Sequence, residues 1–229
     1  MRIDIDNVIL DTDTYNEADD QFALAYLLKS KDIFNIEAIT IAPFRKEELQ
    51  ESVSDSIDES YDEACKIFDL LGLQDKSLIY KGSRDYLKNG YNEKNPAVNK
   101  IIETANKNKK TYILAIGCLT NIALALKSNP EIVDKIEIIW LGSNFLFGTN
   151  KDFNFDQDVE AVKVVFESKA KLIVMPCSPI TSNLMTSIYE LESELKGKNE
   201  LCDYLCYRFY NRAYGPTKRW PLWDISVIA

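Results

Sequence analysis

The sequence of 229 residues contains no histidine. Histidine is the side chain that proteins use most often as a general acid or base near neutral pH, and it is the commonest metal ligand. Its absence also excludes catalytic sites of the Ser-His-Asp and Cys-His types. Any chemistry must therefore come from carboxylates, amides, tyrosines, lysines or a metal.

Basic charge and long apolar runs are scarce as well. Lysine and arginine total 27 against 36 aspartate and glutamate residues, which gives a net charge of −9. An acidic chain without a basic run is a poor nucleic-acid binder. No apolar stretch reaches the length of a membrane span, and the alternating, acidic residues 1–6 do not resemble a signal peptide. We expect a cytoplasmic protein that binds neither nucleic acid nor membrane.

The cysteines do not form a metal-binding or disulfide pattern. There are five, an odd number, and they are scattered along the chain without zinc-type spacing: Cys65, Cys118, Cys177, Cys202 and Cys206. We interpret them as reduced core thiols in a cytoplasmic protein. Cys202 and Cys206 are four residues apart on a predicted helix and are expected to share one face of it.

Strand and helix patterns alternate along the chain. The predicted strands are continuously apolar, which is typical of strands covered on both faces, and they span 7–10, 36–42, 78–81, 111–116, 136–141 and 171–175. The predicted helices span 20–30, 57–71, 97–106, 120–127, 159–168, 178–197 and 200–214, with another starting at 223, whereas 45–63 is expected to be a polar loop that enters the second helix. This alternation predicts an α/β fold with an open, mostly parallel sheet flanked by helices. Neither repeats nor a linker divide residues 1–229, so we expect one domain.

The segment DTDTYNEADD, residues 11–20, carries five carboxylates directly after the first predicted strand: Asp11, Asp13, Glu17, Asp19 and Asp20. Charges this close repel one another, so either some are protonated or a cation lies between them. Oxygen ligands without His or Cys favour Ca²⁺ or Mg²⁺. The alternative is an ordinary solvated acidic surface, which the position after a buried strand disfavours.

Polar groups also follow the other predicted strands. In open α/β sheets, ligands bind outside the carboxyl ends of the strands, so these groups are expected at one rim. The polar groups lie in the segments that follow the second to sixth strands, at residues 43–45, 82–84, 117–121, 142–144 and 176–178.

Two metal or phosphate motifs fit the acidic segment poorly. An EF-hand loop that starts at Asp11 would have Tyr15, Asn16 and Phe22 at positions that require other residues. The Asp-x-Asp-x-Thr motif of haloacid-dehalogenase-like phosphatases is a near miss, because Tyr15 replaces its threonine. A Mg²⁺-dependent phosphatase with Asp11 as nucleophile therefore remains an alternative.

Four segments in order resemble the calcium-dependent nucleoside hydrolase family, the inosine- and uridine-preferring type. They are Val8–Leu10 with Asp11-Thr12-Asp13 and then Asp19-Asp20, the strand and turn 113–124 with Gly117-Cys118-Leu119-Thr120-Asn121, Asp152-Phe153-Asn154 followed by Asp158-Val159-Glu160-Ala161, and Trp223-Asp224. The resemblance implies a Rossmann-like nucleoside hydrolase fold. It also implies Ca²⁺-dependent hydrolysis of a small nucleoside to base and ribose, in nucleoside salvage. A homo-oligomer is compatible with the sequence.

The resemblance assigns roles to individual residues. Asp13 would bind Ca²⁺ and act as base toward the metal-bound water. Asp20 and Asp224 would be side-chain ligands, and Thr120 would bind through its backbone carbonyl. The remaining set would contact the sugar: Asp19 and Asn154 at ribose hydroxyls, Asp152 in place of a family glutamate, and Asn144 in a region near the ribose.

The chain departs from the family pattern in the first turn. Five residues separate Asp13 from Asp19, where the family has three, so a bulge through Tyr15 and Asn16 is expected and Glu17 has no assigned role.

A second departure concerns the missing histidine. Trp223 takes the place of the family histidine that helps to protonate the leaving base, and the chain ends sooner after Asp224 than is usual for the family. Candidates for the leaving-group role are Tyr207, Tyr210, Lys218 and Arg219, although core packing is the simpler interpretation of the two tyrosines. These departures leave open a homologue that binds Ca²⁺ and a ribosyl ligand without hydrolysing it.

Overall fold

The computed structural model describes residues 6–46, 52–144, 152–212 and 219–229. Its centre is a six-stranded sheet formed by β1 (Asp6–Thr12), β2 (Phe34–Ile41), β3 (Ile79–Lys81), β4 (Thr111–Ala115), β5 (Ile136–Leu141) and β6 (Lys171–Met175). The strand order is β3-β2-β1-β4-β5-β6, and all neighbouring strands are parallel. This is the order of the Rossmann fold, in which ligands bind at the carboxyl ends where the order reverses, here between β1 and β4. The predicted α/β fold with a mostly parallel sheet is confirmed.

Eight α-helices lie within the described part of the chain. They are α1 (Asp19–Lys29), α2 (Val53–Leu70), α3 (Pro96–Lys107), α4 (Thr120–Ser128), α5 (Phe153–Gln157), α6 (Val159–Glu167), α7 (Ile188–Glu194) and α8 (Glu200–Arg212). A small antiparallel pair, β7 (Met185–Ser187) with β8 (Arg219–Pro221), lies apart from the main sheet, and a 3₁₀ helix spans Trp223–Val227. In the part of the chain that the structure describes, none of the helices is both long and apolar enough to cross a membrane.

The core lies on both faces of the sheet. Successive residues of a strand point to opposite faces, so the fully buried Ile9 and Leu10 belong to different apolar clusters. Leu10 packs in the cluster that includes α1, α2 and α8, whereas Ile9 packs with residues of α3, α4 and α6. Burial on both faces explains why the strands are continuously apolar. All five cysteines are free. Cys118 and Cys206 are buried, whereas Cys65, Cys177 and Cys202 are only partly buried, so the predicted core position is wrong for these three.

One helix begins earlier than predicted, and one short helix was not predicted. Helix α2 begins at Val53, inside the segment that we expected to be a loop. The Ser52 side chain accepts from the backbone N–H of Asp55, and the Asp55 carboxylate accepts from that of Ser52. This capping box lets the acidic sequence start a helix. Residues 47–51 lie outside the described residues. The short helix α5, capped by Asp152, was not predicted because five residues show no helical period.

The predicted helix over 178–197 is wrong in its first half, 178–187. Residues Thr181–Asn183 form a 3₁₀ turn, and Met185–Ser187 pair with β8 as a strand. Helix α7 starts only at Ile188, after a second capping box between Ser187 and Glu190. The strand partner is more than thirty residues away in sequence, so local periodicity could not show it.

Candidate active site

Asp11, near the carboxyl end of β1, is held in the interior rather than at the cavity. Asp11 is fully buried, and its Oδ1 accepts hydrogen bonds from Thr40 Oγ1 at 2.6 Å and Asn121 Nδ2 at 2.9 Å. Burial raises the pKa of Asp11 to about 7, although these two hydrogen bonds act against the shift. Asp11 thus ties β1 to β2 and α4, and it is absent from the lining of the neighbouring cavity.

Three carboxylates meet at the amino end of α1. Asp19 and Asp20 begin this helix, and Asp224 comes from the 3₁₀ helix near the end of the chain. One carboxylate oxygen from each lies within 4.8 Å of the other two. The backbone N–H of Asp224 donates to Asp19 Oδ2 at 3.3 Å, which joins residues 205 positions apart.

The three carboxylates lie in surroundings that disfavour their charged forms. Burial, followed by repulsion from neighbouring carboxylates, raises the pKa values of Asp19 and Asp224 well above their ordinary range. Burial likewise raises the pKa of Asp20 to about 6, against a hydrogen bond from Thr12 Oγ1 of 2.9 Å. Asp19 Oδ1 is buried and has no hydrogen-bond partner among the described residues. A buried all-oxygen donor set of this kind fits a hard divalent cation such as Ca²⁺.

Asp13 lies beside this group, though outside its three members. Its Oδ2 accepts a hydrogen bond of 3.0 Å from Asn16 Nδ2. Burial raises the pKa of Asp13, and the negative charge of Asp20 adds to the shift. Gly117 lies so close that a Cβ on it would be 3.1 Å from Asp13 Oδ1. Of the predicted ligands, the structure therefore brings Asp20 and Asp224 together, with Asp19 as the third member and Asp13 next to them.

Thr120 occupies the first position of α4 and is fully buried. Its hydroxyl donates to Asp158 Oδ2 at 2.6 Å. The Asp158 carboxylate also accepts from the backbone N–H groups of Leu87, Lys88 and Ala161, at 2.7, 3.0 and 3.3 Å. Asp158 thus fixes the amino ends of α4 and α6 against each other.

Asp152 and Asn154 lie at the start of α5, the helix that follows β5. Asp152 Oδ2 accepts from the backbone N–H groups of Ser143 and Phe155, each at 2.9 Å, and its Oδ1 accepts from Cys177 Sγ at 3.1 Å. Asn154 Nδ2 donates to the carbonyls of Ile116 and Leu141, at 2.8 and 3.0 Å. Both side chains are thereby fixed at the cavity. Asn144 is held there as well, because its Oδ1 accepts from the backbone N–H of Ser178 at 3.2 Å.

These groups surround one cavity of about 350 Å³. It is lined by Asn16, Glu17, Asp19, Ile116, Leu141, Asn144, Asp152, Phe153, Asn154, Cys177, Ser178, Ser182, Trp220, Trp223 and Asp224. The lining contains the predicted sugar contacts Asp19, Asn144, Asp152 and Asn154. Asp13, Asp20 and Thr120 are buried beneath or beside it rather than in its lining.

The aromatic wall of the cavity was not predicted as a binding surface. Trp220 and Trp223 pack edge to face with their rings 5.3 Å apart, and Trp223 Nε1 donates to Ser182 Oγ at 3.2 Å. The replacement of histidine by Trp223 was the only signal in the sequence. Trp220 reaches the cavity through the pairing of β8 with β7, which sequence analysis missed.

Among the described residues, the proposed leaving-group contacts Tyr207, Tyr210 and Arg219 do not line this cavity. Tyr207 and Tyr210 are 63% and 55% exposed and line a separate depression with Ile188, so core packing is also wrong for them. Their side of α8 faces away from the sheet, because the apolar residues of the helix turn inward. Tyr15 packs against the Arg208 guanidinium at 5.0 Å. Arg219 is exposed on β8, and Lys218 lies outside the described residues.

Comparison with known proteins agrees with this arrangement. The family model described as inosine-uridine preferring nucleoside hydrolase matches residues 8–229. The chain belongs to this nucleoside hydrolase family. Membership gives no support to the haloacid-dehalogenase-like alternative, for which the buried Asp11 is also badly placed.

Two curated relatives match part of this chain. A probable ribonucleoside hydrolase of Dictyostelium discoideum is 37% identical over 82 residues, which covers 34% of this chain and 24% of the relative. Probable uridine nucleosidase 2 of Oryza sativa subsp. japonica is 34% identical over 111 residues, covering 43% of this chain and 31% of the relative. The matched parts thus span about a quarter to a third of these relatives.

A solved structure extends the likeness to nearly the whole of this chain. The plant nucleoside hydrolase PpNRh1 superposes with a TM-score of 0.80 at 22% identity, over 97% of this chain and 77% of that one. At this identity the likeness shows the fold, which agrees with the parallel sheet described above.

Proposed function

We propose that this protein hydrolyses the N-glycosidic bond of a nucleoside to free base and ribose in the presence of Ca²⁺. The observation that carries the proposal is the buried group of Asp19, Asp20 and Asp224 beside a cavity lined by polar side chains and by Trp220 and Trp223. The family match and the names of the relatives support it.

The donor set fits a calcium ion. Asp20, Asp224, Asp13 and the Thr120 carbonyl would hold it, with Asp19 at its edge. When bound, Ca²⁺ supplies positive charge that keeps these carboxylates ionised and makes a nearby water more acidic. Magnesium also binds oxygen ligands, but it requires stricter octahedral geometry.

The chain's own residues would carry out the remaining steps. Asp13, oriented by the Asn16 amide, takes the proton of the attacking water. Asp19 Oδ1 and the amide of Asn154 position the sugar hydroxyls, and Asp152 completes that side. The negative charge around the sugar stabilises the oxocarbenium-like transition state, in which positive charge develops on the ring.

The leaving base would lie against Trp220 and Trp223. The cavity lining in the described residues contains no lysine, arginine or tyrosine, and burial holds the pKa of Cys177 far above neutral. Few groups can therefore donate a proton to the base. We infer a preference for bases that leave with little protonation, which favours uridine over purine nucleosides, in agreement with the name of the rice relative.

The first test is turnover. Purified protein with Ca²⁺ is expected to release ribose from uridine faster than from inosine, and excess chelator is expected to abolish the release. Asp13→Asn should lower kcat at least ~100-fold, the usual contribution of a general base, while the fold persists. Glu160→Gln, at an exposed pair with Lys163 on α6, is the matched control. If no nucleoside is hydrolysed, or if Asp13→Asn retains full activity, the proposal is wrong.

A second candidate is a protein that binds Ca²⁺ and a ribosyl ligand without hydrolysis. Trp223 at the position of the family histidine favours it. Ca²⁺-dependent ribose binding without turnover of any nucleoside would identify this function instead.

A further inference from the structure

The turn between Asp13 and Asp19 brings two side chains to the cavity that have no assigned role. Asn16 and Glu17 both line it. They belong to the turn that is two residues longer than the family pattern. The extra length therefore builds part of the cavity wall.

Contacts from three other elements fix this turn. Lys46 Nζ forms an ion pair with Glu17 and donates to the Asn16 carbonyl at 3.2 Å. Arg208 of α8 donates to the Glu17 carbonyl at 3.4 Å, and the backbone N–H of Tyr15 donates to Ser60 Oγ of α2 at 3.2 Å. Side chains on a turn held in this way are preorganised for a ligand.

The turn leaves buried acceptors at the cavity. Asn16 Oδ1 and Glu17 Oε2 have no hydrogen-bond partner within the described residues, and Asn16 is only 4% exposed. Asp19 Oδ1, two residues further on, is in the same situation. Buried acceptors are normally satisfied, so this cluster indicates a ligand that donates hydrogen bonds.

The position of the Glu17–Lys46 pair indicates which part of the ligand it meets. Lys46 Nζ lies 5.2 Å from the centre of the Phe153 ring, and Phe153 stands between Asp152 and Asn154. Asp152 and Asn154 are the proposed sugar contacts, whereas the base is proposed to lie against Trp220 and Trp223. The pair therefore lies near the sugar rather than the base.

We propose that Glu17, held by Lys46, is a specificity-determining residue that accepts a hydrogen bond from a sugar hydroxyl and rejects a sugar that carries a phosphate. This inference rests on the proposed function. Because Glu17 already pairs with Lys46, that lysine is not free to bind a phosphate, and the carboxylate repels one. An anion would also meet Asp19, Asp152 and Asp224 in the same cavity.

Direct binding separates this inference from catalysis. Calorimetric titration of the full chain in Ca²⁺ would compare ribose with ribose 5-phosphate for wild type, Glu17→Gln, Lys46→Met and Glu160→Gln. We expect Glu17→Gln to weaken ribose binding about 10-fold and to reduce the preference for ribose over ribose 5-phosphate by at least ~10-fold, since each factor corresponds to one lost polar interaction of ~1.4 kcal/mol. Lys46→Met should weaken ribose binding but keep the rejection of phosphate, because Glu17 remains charged. Glu160→Gln should behave as wild type.

The outcomes are distinct. If Glu17→Gln and Lys46→Met both match Glu160→Gln in affinity and preference, or if wild type binds neither sugar, the inference is overturned. Thermal melting verifies that each variant folds. If Glu17→Gln does not fold, the ribose affinity of Lys46→Met decides whether the inference holds. The expected binding pattern without uridine hydrolysis would support this inference while the proposed function fails. Turnover that spares uridine 5′-monophosphate in wild type and admits it in Glu17→Gln would support both.

Discussion

Burial is what distinguishes the individual aspartates of this site from surface acids. Asp11, Asp13, Asp19 and Asp20 are all almost fully buried, and the pKa of each is raised because the charged form has lost its water. Their partners then separate their roles. Asp11 is bonded to Thr40 and Asn121 and does not line the cavity, whereas Asp19 lines it and meets Asp20 and Asp224.

The close packing of Gly117 against Asp13 allows a test with a single substitution. In Gly117→Ala the new Cβ would lie 3.1 Å from Asp13 Oδ1 and 3.0 Å from the Cβ of Ala42. We expect the Asp13 carboxylate to shift by a few tenths of an ångström and kcat for uridine to fall ~10- to 100-fold, because catalytic geometry is sensitive to such displacements. Steady-state kinetics measures this effect. The double variant Ala42→Gly with Gly117→Ala is the control, and recovery of kcat in it would show that crowding of Ala42, not of Asp13, was responsible.

At the scale of elements, the two ends of the sheet have different tasks. The carboxyl ends of β1, β4 and β5 lead into the site, while a charge cluster ties the amino ends of β4, β5 and β6 together. Glu137 of β5 is 3% exposed and pairs with Lys110 at 2.6 Å and Lys171 at 2.7 Å. Burial alone would raise the pKa of Glu137, but the hydrogen bonds from the two lysines outweigh it and lower the pKa.

This shift predicts a pH-dependent contribution to stability. A carboxyl group with a lowered pKa in the folded state stabilises the protein above its unfolded pKa of ~4.3, and the contribution is lost as pH falls from there through the folded pKa. We expect Glu137→Gln to reduce the free energy of unfolding by about 1 kcal/mol at pH 7, since both lysines are partly exposed, and by less at pH 4. Urea unfolding at both pH values measures the difference. Glu103→Gln, an exposed glutamate paired with the largely buried Lys100, should stay within ~0.5 kcal/mol of wild type. An equal loss at pH 4 and pH 7 for Glu137→Gln would contradict the assignment.

At the scale of the whole molecule, the acidic group joins the two ends of the described chain. Asp19 and Asp20 follow the first strand, and Asp224 lies five residues before the last residue. Their mutual repulsion opposes folding unless a cation or protons neutralise it. A cation that binds only the folded state would therefore stabilise the entire domain.

Calcium is accordingly expected to raise the melting temperature. At 100 times the dissociation constant the gain is about 2.7 kcal/mol, which corresponds to roughly 5–10 °C for a domain of this size. Asp224→Asn should lose most of this shift and, in chelator, should be at least as stable as wild type because one buried charge is removed. Differential scanning calorimetry with Ca²⁺, Mg²⁺ or chelator measures both effects. A full calcium shift in Asp224→Asn would show that Asp224 is not a ligand.

The extent of sequence-based prediction differs between fold and site. The six strands of the sheet and most helices follow from local patterns. A strand covered on both faces has a continuous apolar run, and an amphipathic helix has apolar residues at helical spacing. The motifs around Asp13, Asp20, Thr120 and Asp224 were recognised in order, yet their ligand roles stay predictions. The segment 178–187 was misassigned because its structure depends on a distant strand.

The sequence by itself determined that this chain is an α/β protein with carboxylates in place of histidine, since composition and periodicity are properties of the chain alone. Only the tertiary structure decided which of these carboxylates meet. It brought Asp224 to Asp19, placed Trp220 on the cavity through β8, and turned Glu17 toward Lys46 while Tyr207 and Tyr210 face elsewhere. Contacts between residues far apart in sequence depend on how elements pack, and no local pattern encodes that packing.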